Sequence, residues 1–306
     1  MPGPQRILVT GAAGFVGGHL LPALRTAYPV ATLLTDPFDV TDEAAVQAAI
    51  RTARPDAVIH LAAISATTTA RAEPDLAWKV NLHGTLALAR AVLTHAPGAV
   101  FLFAGSGDAY GATFRAGVAV TETMPLAPMN TYGATKAAAD LALGAMAAEG
   151  LRAVRARPFN HTGAGQADTF AIPAFARQVM RIKTGLQPPV MQVGALGSER
   201  DFLDVRDICT AYAACLGADL PPGQILNLAS GHPRRIGDVL HAMLDMAGVT
   251  AEVRTDTTRL RPTDIPRAMG DAHEAKRLLG WEPRTPWAQT LADVLEDWRR
   301  RVALDA

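Results

Sequence analysis

The chain has 306 residues, enough for roughly two domains at about 150 residues each. Its 49% hydrophobic and 19% charged composition excludes a disordered chain. The 29 basic and 29 acidic residues cancel, so no overall basic field exists to hold a nucleic acid or an anionic membrane surface.

Arg6–Thr10 (RILVT) is a short apolar run that stops at a glycine and reads as a strand, and Gly14–Ala27 reads as the helix after it. Val30–Leu34 reads as a second strand. Thr41 suits the N-cap of a helix over Thr41–Arg54, with Asp42 and Glu43 in its first turn and Pro55 closing it. Ala57–His60 follows as a third strand, Asp75–Ala96 as a helical region, Val100–Ala104 as a fourth strand and Tyr132–Glu149 as an alanine-rich helix. Ala153–Arg157 is a fifth strand, ended by Pro158. These strands are continuous apolar runs, as a parallel sheet covered on both faces requires. After Pro158 the loops become rich in Gly and Pro. Helices are expected over Phe170–Thr184, Arg206–Gly217, Ile236–Ala247, Asp271–Leu279 and Trp287–Leu304, with a buried strand at Gln224–Leu228 that returns to the first sheet.

The fold class is therefore α/β: a Rossmann-type doubly wound parallel sheet with a smaller α/β C-terminal substrate domain. Residues 1–161, with about 203–229, are expected to form the dinucleotide-binding domain, and 162–202 with 230–306 the substrate domain. The two cysteines, Cys209 and Cys215, lie on different faces of one predicted helix, so they read as buried apolar residues rather than a disulfide. The histidines show no metal spacing, and no metal is expected. The apolar runs Ala57–Ala63 and Ala99–Ala104 fall far short of the ~20 residues of a membrane span. No apolar leader precedes the first strand, and the expectation is a soluble cytoplasmic protein.

Three motifs carry chemistry. Thr10-Gly11-Ala12-Ala13-Gly14-Phe15-Val16-Gly17 joins the first strand to the first helix. Glycines there permit a tight turn, backbone approach to a pyrophosphate and close helix–strand packing, and the helix N-terminus offers N–H groups to phosphate. Tyr132 and Lys136 lie four apart at a helix start, so the ammonium can sit near the phenol and lower its pKa. No other tyrosine has a lysine at that spacing. Ser106, in Ala104-Gly105-Ser106-Gly107-Asp108, follows the fourth strand at the ligand end of a parallel sheet, where its hydroxyl can meet a carbonyl.

These motifs, with His60-Leu61-Ala62-Ala63 and Asn81, resemble the extended short-chain dehydrogenase/reductase family over essentially the whole chain. Arg261-Pro262-Thr263-Asp264 and Leu279-Gly280-Trp281-Glu282-Pro283 resemble its sugar-nucleotide-modifying branch. Ser106–Gly111, Arg157–Gly163 and Glu199–Val205 are similar to the reductases of GDP-linked 4-keto-6-deoxy sugars within that branch. Ala164 departs from the family's usual proline. The resemblance implies a catalytic set of Ser106, Tyr132 and Lys136, with Tyr132 the acid. It implies that Gly11, Ala13, Gly14, Phe15, Val16, Gly17, Asp39, Val40, Leu61, Ala62, Ala63, Asn81, Tyr132, Lys136 and Phe159 hold NADP or NAD, and that Ser106, Asp108, Asn160, Arg200 and Arg261 face a nucleotide sugar. Arginine forks suit phosphate oxygens, and the alternative for Arg200 and Arg261 is a pairing with a neighbouring acid. Asp36, after the second strand, is placed to meet the adenosine ribose, where an acid favours NAD; the short connection to Asp39 leaves the preference open. His60 reads as a packed hydrogen-bonding residue, and His161 lies near the crevice. The family implies a homodimer built on helices around Leu82–Thr94 and Ala137–Ala148.

Three functions compete. The first is an NAD(P)H-dependent reductase of the 4-keto group of a nucleotide-linked 6-deoxy-hexulose, giving GDP-D-rhamnose from its GDP-linked precursor. The second is a 4,6-dehydratase or 4-epimerase. The third is a non-catalytic dinucleotide sensor, which would have no use for the Tyr–Lys pair. Dehydratases of the branch carry a glutamate two residues after the Ser/Thr, and here Asp108 stands there, one methylene shorter.

Overall fold

The structure is a computed structural model and describes residues 3–259 and 265–304. The N-terminal part runs β1 (Arg6–Thr10), α1 (Phe15–Ala27), β2 (Thr32–Leu34), α2 (Glu43–Ala53), β3 (Ala57–His60), α3 (Thr67–Ala72), α4 (Pro74–Trp78), a π-helical turn over Lys79–Gly84, α5 (Thr85–His95), β4 (Val100–Ala104), α6 (Thr131–Ala148) and β5 (Arg152–Pro158). Then come β6 (Asn160–Thr162), α7 (Ala171–Lys183), β7 (Val190–Val193), β8 (Glu199–Asp204), α8 (Val205–Gly217), β9 (Gln224–Leu228), β10 (Pro233–Arg235), α9 (Ile236–Ala247), β11 (Glu252–Thr255), β12 (Arg267–Ala268), α10 (His273–Leu279) and α11 (Trp287–Leu304).

Six strands form one parallel sheet in the order β2-β1-β3-β4-β5-β9. Successive residues of each strand feed opposite cores, which is why the runs are apolar without alternation. Ile7 and Val9 of β1, Ile59 of β3 and Leu102 of β4 join α1 and α8 in one cluster. Leu8, Val58, Phe101 and Phe103 join α2, α5 and α6 on the other face. Among the described residues the sheet has no strand outside β2, where a 3-2-1-4-5-6 order would put one; the short connection from β2 to α2 leaves no chain for it. The chain still reverses direction between β1 and β3, and ligands of open α/β sheets bind at such a switch.

A second cluster gathers α7, α9 and α11 over β7 and Phe202 of β8. Here β8 pairs with β10, β12 and β6, and β7 pairs with β11. Because β6 follows β5 after one residue, this smaller sheet begins at the carboxyl edge of the large one.

Three local expectations are corrected. The α2 cap is Asp42, not Thr41: its carboxylate accepts from the Ala44 and Ala45 N–H groups at 2.9 and 3.1 Å. The second strand starts at Thr32, since Val30 is 79% exposed and the Ala31 N–H closes a turn onto Tyr28. The helical region from Asp75 is not continuous but opens into the π turn that holds Asn81. Both cysteines are free and buried, and β9 does return to the first sheet. No helix of the described residues is long and apolar enough to cross a membrane.

Candidate active site

The glycine loop sits at the β1/β3 switch. Gly11 adopts φ +69°, and a Cβ on it would lie 2.8 Å from the Ala62 nitrogen, so only glycine lets the turn pass the end of β3. A Cβ on Gly17 would run into the Ala12 carbonyl. Gly14 is the N-cap of α1 and no side chain caps it. Gly11, Ala13 and Gly14 are exposed at the mouth of the crevice, with Phe15, Val16, Leu61, Ala62 and Ala63 partly so. The α1 N-terminus therefore presents backbone N–H groups that an anion can use.

Ser106 ends β4 and caps the short turn that follows by accepting from the Asp108 N–H at 3.1 Å. Asn130 caps α6 through the Gly133 N–H at 2.8 Å, which sets Tyr132 in the first turn beside Ser106. Burial and the Asp108 charge raise the Tyr132 phenol above its usual pKa, while a hydrogen bond with Ser106 works against them. The phenol is thus protonated at neutral pH, as a proton donor must be. Lys136 follows one helical turn after Tyr132. Its Nζ donates to the Ala104 carbonyl at 2.8 Å and lies 4.9 Å from the Phe103 ring centroid. Burial brings this ammonium down to about 7.

A directed chain of hydrogen bonds, undetected in the sequence, ties the two motifs together. The Ala62 N–H donates to Thr10 Oγ1 (3.3 Å), and that hydroxyl donates to His60 Nδ1 (2.7 Å). His60 Nε2 donates to Thr85 Oγ1 (2.9 Å), which donates to the Asn81 carbonyl (2.7 Å). Asn81 Nδ2 donates to Thr135 Oγ1 (3.0 Å), which donates to the Tyr132 carbonyl (2.8 Å). Each hydroxyl has one proton, so the order fixes the Nε2–H tautomer of His60. Burial, with the Lys136 charge, holds that imidazole neutral, its pKa near 3. Asn81 also exchanges two bonds with the Ile64 backbone at 2.8 and 3.1 Å. Its amide is engaged on both sides, so it braces the segment after β3.

Other expected residues are placed variously. Phe159 is 3% exposed and packs against Gly107, Gly270, Tyr110 and Phe114, so its ring belongs to the core. Val40 is buried against Gly84, whereas Asp36 and Asp39 are exposed beyond β2, with Asp39 bound to the Thr41 N–H at 2.8 Å. Asn160 is exposed at the start of β6, and His161 donates from Nδ1 to the Phe159 carbonyl (2.9 Å) with its ring stacked on Phe15. Arg200 donates to the Glu199 and Ile265 carbonyls at 2.8 and 2.7 Å, holding the chain just after residues 260–264. Arg261 lies outside the described residues. Among the described residues, no three His, Cys, Asp or Glu side chains gather to hold a metal.

Residues 32–294 match the family model described as GDP-mannose 4,6 dehydratase. The chain is 36% identical over 301 residues to GDP-6-deoxy-D-mannose reductase of Pseudomonas aeruginosa, covering 97% of this chain and 98% of that one. It is 28% identical to GDP-mannose 4,6 dehydratase 2 of Arabidopsis thaliana, over 88% of this chain and 74% of that one. The solved structure of RMD from Pseudomonas aeruginosa complexed with NADPH superposes with a TM-score of 0.90 at 35% identity, covering 97% and 99% of the two chains. The chain accordingly belongs to the GDP-mannose 4,6-dehydratase family of short-chain dehydrogenase/reductases.

Proposed function

We propose that this protein reduces the 4-keto group of a nucleotide-linked 6-deoxy-hexulose, converting GDP-4-keto-6-deoxy-D-mannose to GDP-D-rhamnose with NADPH or NADH. The observation that carries the reading is the pairing of Ser106 with a protonated Tyr132 at the carboxyl end of β4, beside a loop shaped for a pyrophosphate. Gly11, Ala13, Gly14, Phe15, Val16 and Gly17 would hold the pyrophosphate on backbone N–H groups, and Asp36, Asp39, Leu61, Ala62 and Ala63 would border the remainder of the cofactor. The bound dihydronicotinamide supplies the hydride. Ser106 donates to the C4 carbonyl oxygen and orients it, and Tyr132 gives that oxygen its phenolic proton as negative charge develops. Lys136, cationic below about 7, offers hydrogen bonds to the nicotinamide ribose and favours the phenolate left after proton transfer.

A dehydratase needs a further group to remove the C5 proton and expel the C6 hydroxyl. Position 108 carries the shorter aspartate, and Gly107 before it is packed against the Phe159 ring. The likeness to the Pseudomonas reductase over nearly all of both chains supports reduction. We further propose that residues 1–161 with about 203–229 bind the dinucleotide, and that 162–202 with 230–306 bind the nucleotide sugar through Arg200 and Arg261, with Asn160 reaching it from the edge of the first domain. A cytoplasmic homodimer built on α5 and α6 completes the reading. The test is turnover of GDP-4-keto-6-deoxy-D-mannose with NADPH, read by cofactor oxidation and by proton NMR of the product. One cofactor oxidised per GDP-D-rhamnose formed is expected; no oxidation, or a different sugar nucleotide, overturns the assignment.

A further inference from the structure

Arg234 is a cation that the fold draws half out of water with no hydrogen bond or ion pair of its own among the described residues. It lies on β10 directly opposite Arg200 of the antiparallel β8. Directly opposed residues project from one face with Cβ atoms roughly 5 Å apart, and like charges so placed repel. The Arg234 guanidinium carbon stacks 4.8 Å from the centroid of Trp287, itself stacked on Phe202 at 5.8 Å. This three-layer stack holds the planar group in one orientation. Its Nε is buried with no hydrogen-bond partner, and no hydrogen bond or ion pair to Arg234 exists among the described residues. Asp201, the acid whose field reaches it, is occupied elsewhere: it accepts from the Ser230, Gly231 and Gly270 N–H groups and the Ser230 hydroxyl. A half-buried guanidinium beside a second one is stabilised by an anion between them.

The location selects the anion. Phe202, on the same face two residues along β8, is the register partner of Asn160, which leaves the large sheet at its ligand-binding edge. We infer that Arg234, across the strand pair from Arg200, contacts the phosphates of the nucleotide sugar and sets a preference for nucleoside diphosphates over monophosphates. This inference rests on the proposed function.

The test is calorimetric titration of wild type, Arg234→Met and Arg234→Lys with GDP, GMP, guanosine and NADPH. Methionine keeps an apolar stem on Trp287 and removes the charge. GDP binding should weaken at least about 10-fold in Arg234→Met, GMP binding less, and guanosine and NADPH binding not at all. The Lys variant should fall between, since it keeps the charge but loses the fork. GDP affinity within about twofold of wild type in Arg234→Met overturns the inference, as does equal weakening of guanosine, which would mark a base contact. If Arg234→Met lost NADPH binding as well, the Lys variant decides: NADPH binding kept with GDP weakened supports the phosphate role, and both weakened alike makes Arg234 structural. Wild type that takes UDP in place of GDP refutes the assigned substrate while the same comparison, read with UDP, still judges Arg234. Wild type that binds no nucleoside diphosphate ends both readings.

Discussion

The two walls of the crevice are made of different material. Along the large sheet, the surfaces open to a ligand are backbone and small residues: Gly11, Ala13, Gly14, Ala62 and Ala63. Along the small sheet they are charges, with Arg200 on β8 and Arg234 opposite it on β10. A backbone cradle asks only that side chains be absent, because every residue supplies an N–H. Charges drawn out of water need partners, which the buried Asp201 beneath that surface finds in four donors and Arg234 does not find among the described residues. Under the proposed function the first wall holds a cofactor common to a large family, and the second distinguishes substrates. In the same reading Tyr132, the proposed proton donor, serves both.

The largest effect should come from the residue that serves both walls. Tyr132→Phe keeps the ring and removes the proton, so kcat should fall about 10²–10⁴-fold while NADPH and GDP affinities stay near wild type. Single-turnover kinetics beside equilibrium titration would separate these quantities. Gly17→Val tests whether the walls are independent. The new side chain meets the Ala12 carbonyl and displaces the loop, so NADPH affinity should fall on the order of 10²-fold with GDP affinity little changed. Equal loss of both ligands would show one coupled site.

The glycine wall was readable from sequence because its elements are local: strand, three glycines and helix lie within 22 residues, Arg6 to Ala27. The same holds for β9 and for the limits of α9 and α11, where apolar periodicity is strong. Of the charged wall the sequence motif marks Arg200 but not Arg234 or the partners of Asp201, because those contacts join distant segments. Asp201 meets Ser230 and Gly270, 29 and 69 positions away. Asn81 was assigned to the cofactor by motif, whereas the π turn gives its amide to Ile64 and Thr135. Phe159 shows the same limit: a motif position sits beside the site, yet the ring packs inward under Gly107. The bond from Lys136 to the Ala104 carbonyl at the end of β4 was likewise beyond helical spacing to foresee, because it joins residues 32 positions apart.

Smaller effects sharpen the contrast. Asp201→Asn leaves the buried N–H donors of Ser230, Gly231 and Gly270 facing a weaker acceptor, and should destabilise the chain by about 1.5–3 kcal/mol in chemical unfolding. It should weaken GDP more than NADPH. On the first wall, His60 has a folded pKa near 3, below its unfolded value of 6.5. A depressed folded pKa stabilises the native state above pH 6.5, and that contribution is lost progressively as pH falls toward 3. His60→Gln, which has no such titration, should show a shallower loss of stability across that window.

Reduction rather than elimination is the central claim, and Asp108 is where it is most exposed. Its charge raises the Tyr132 phenol, so Asp108→Asn should shift the alkaline limb of the reductase pH profile downward and leave most of kcat intact. The decisive measurement gives wild type and Asp108→Asn two substrates in parallel, GDP-mannose alone and GDP-4-keto-6-deoxy-D-mannose with NADPH, and follows both sugar nucleotides by NMR. The expected result is reduction of the keto sugar by both proteins and no 4-keto product from GDP-mannose by either. Formation of 4-keto sugar from GDP-mannose by wild type without net cofactor consumption, lost in Asp108→Asn, would contradict the assignment and make this chain a dehydratase.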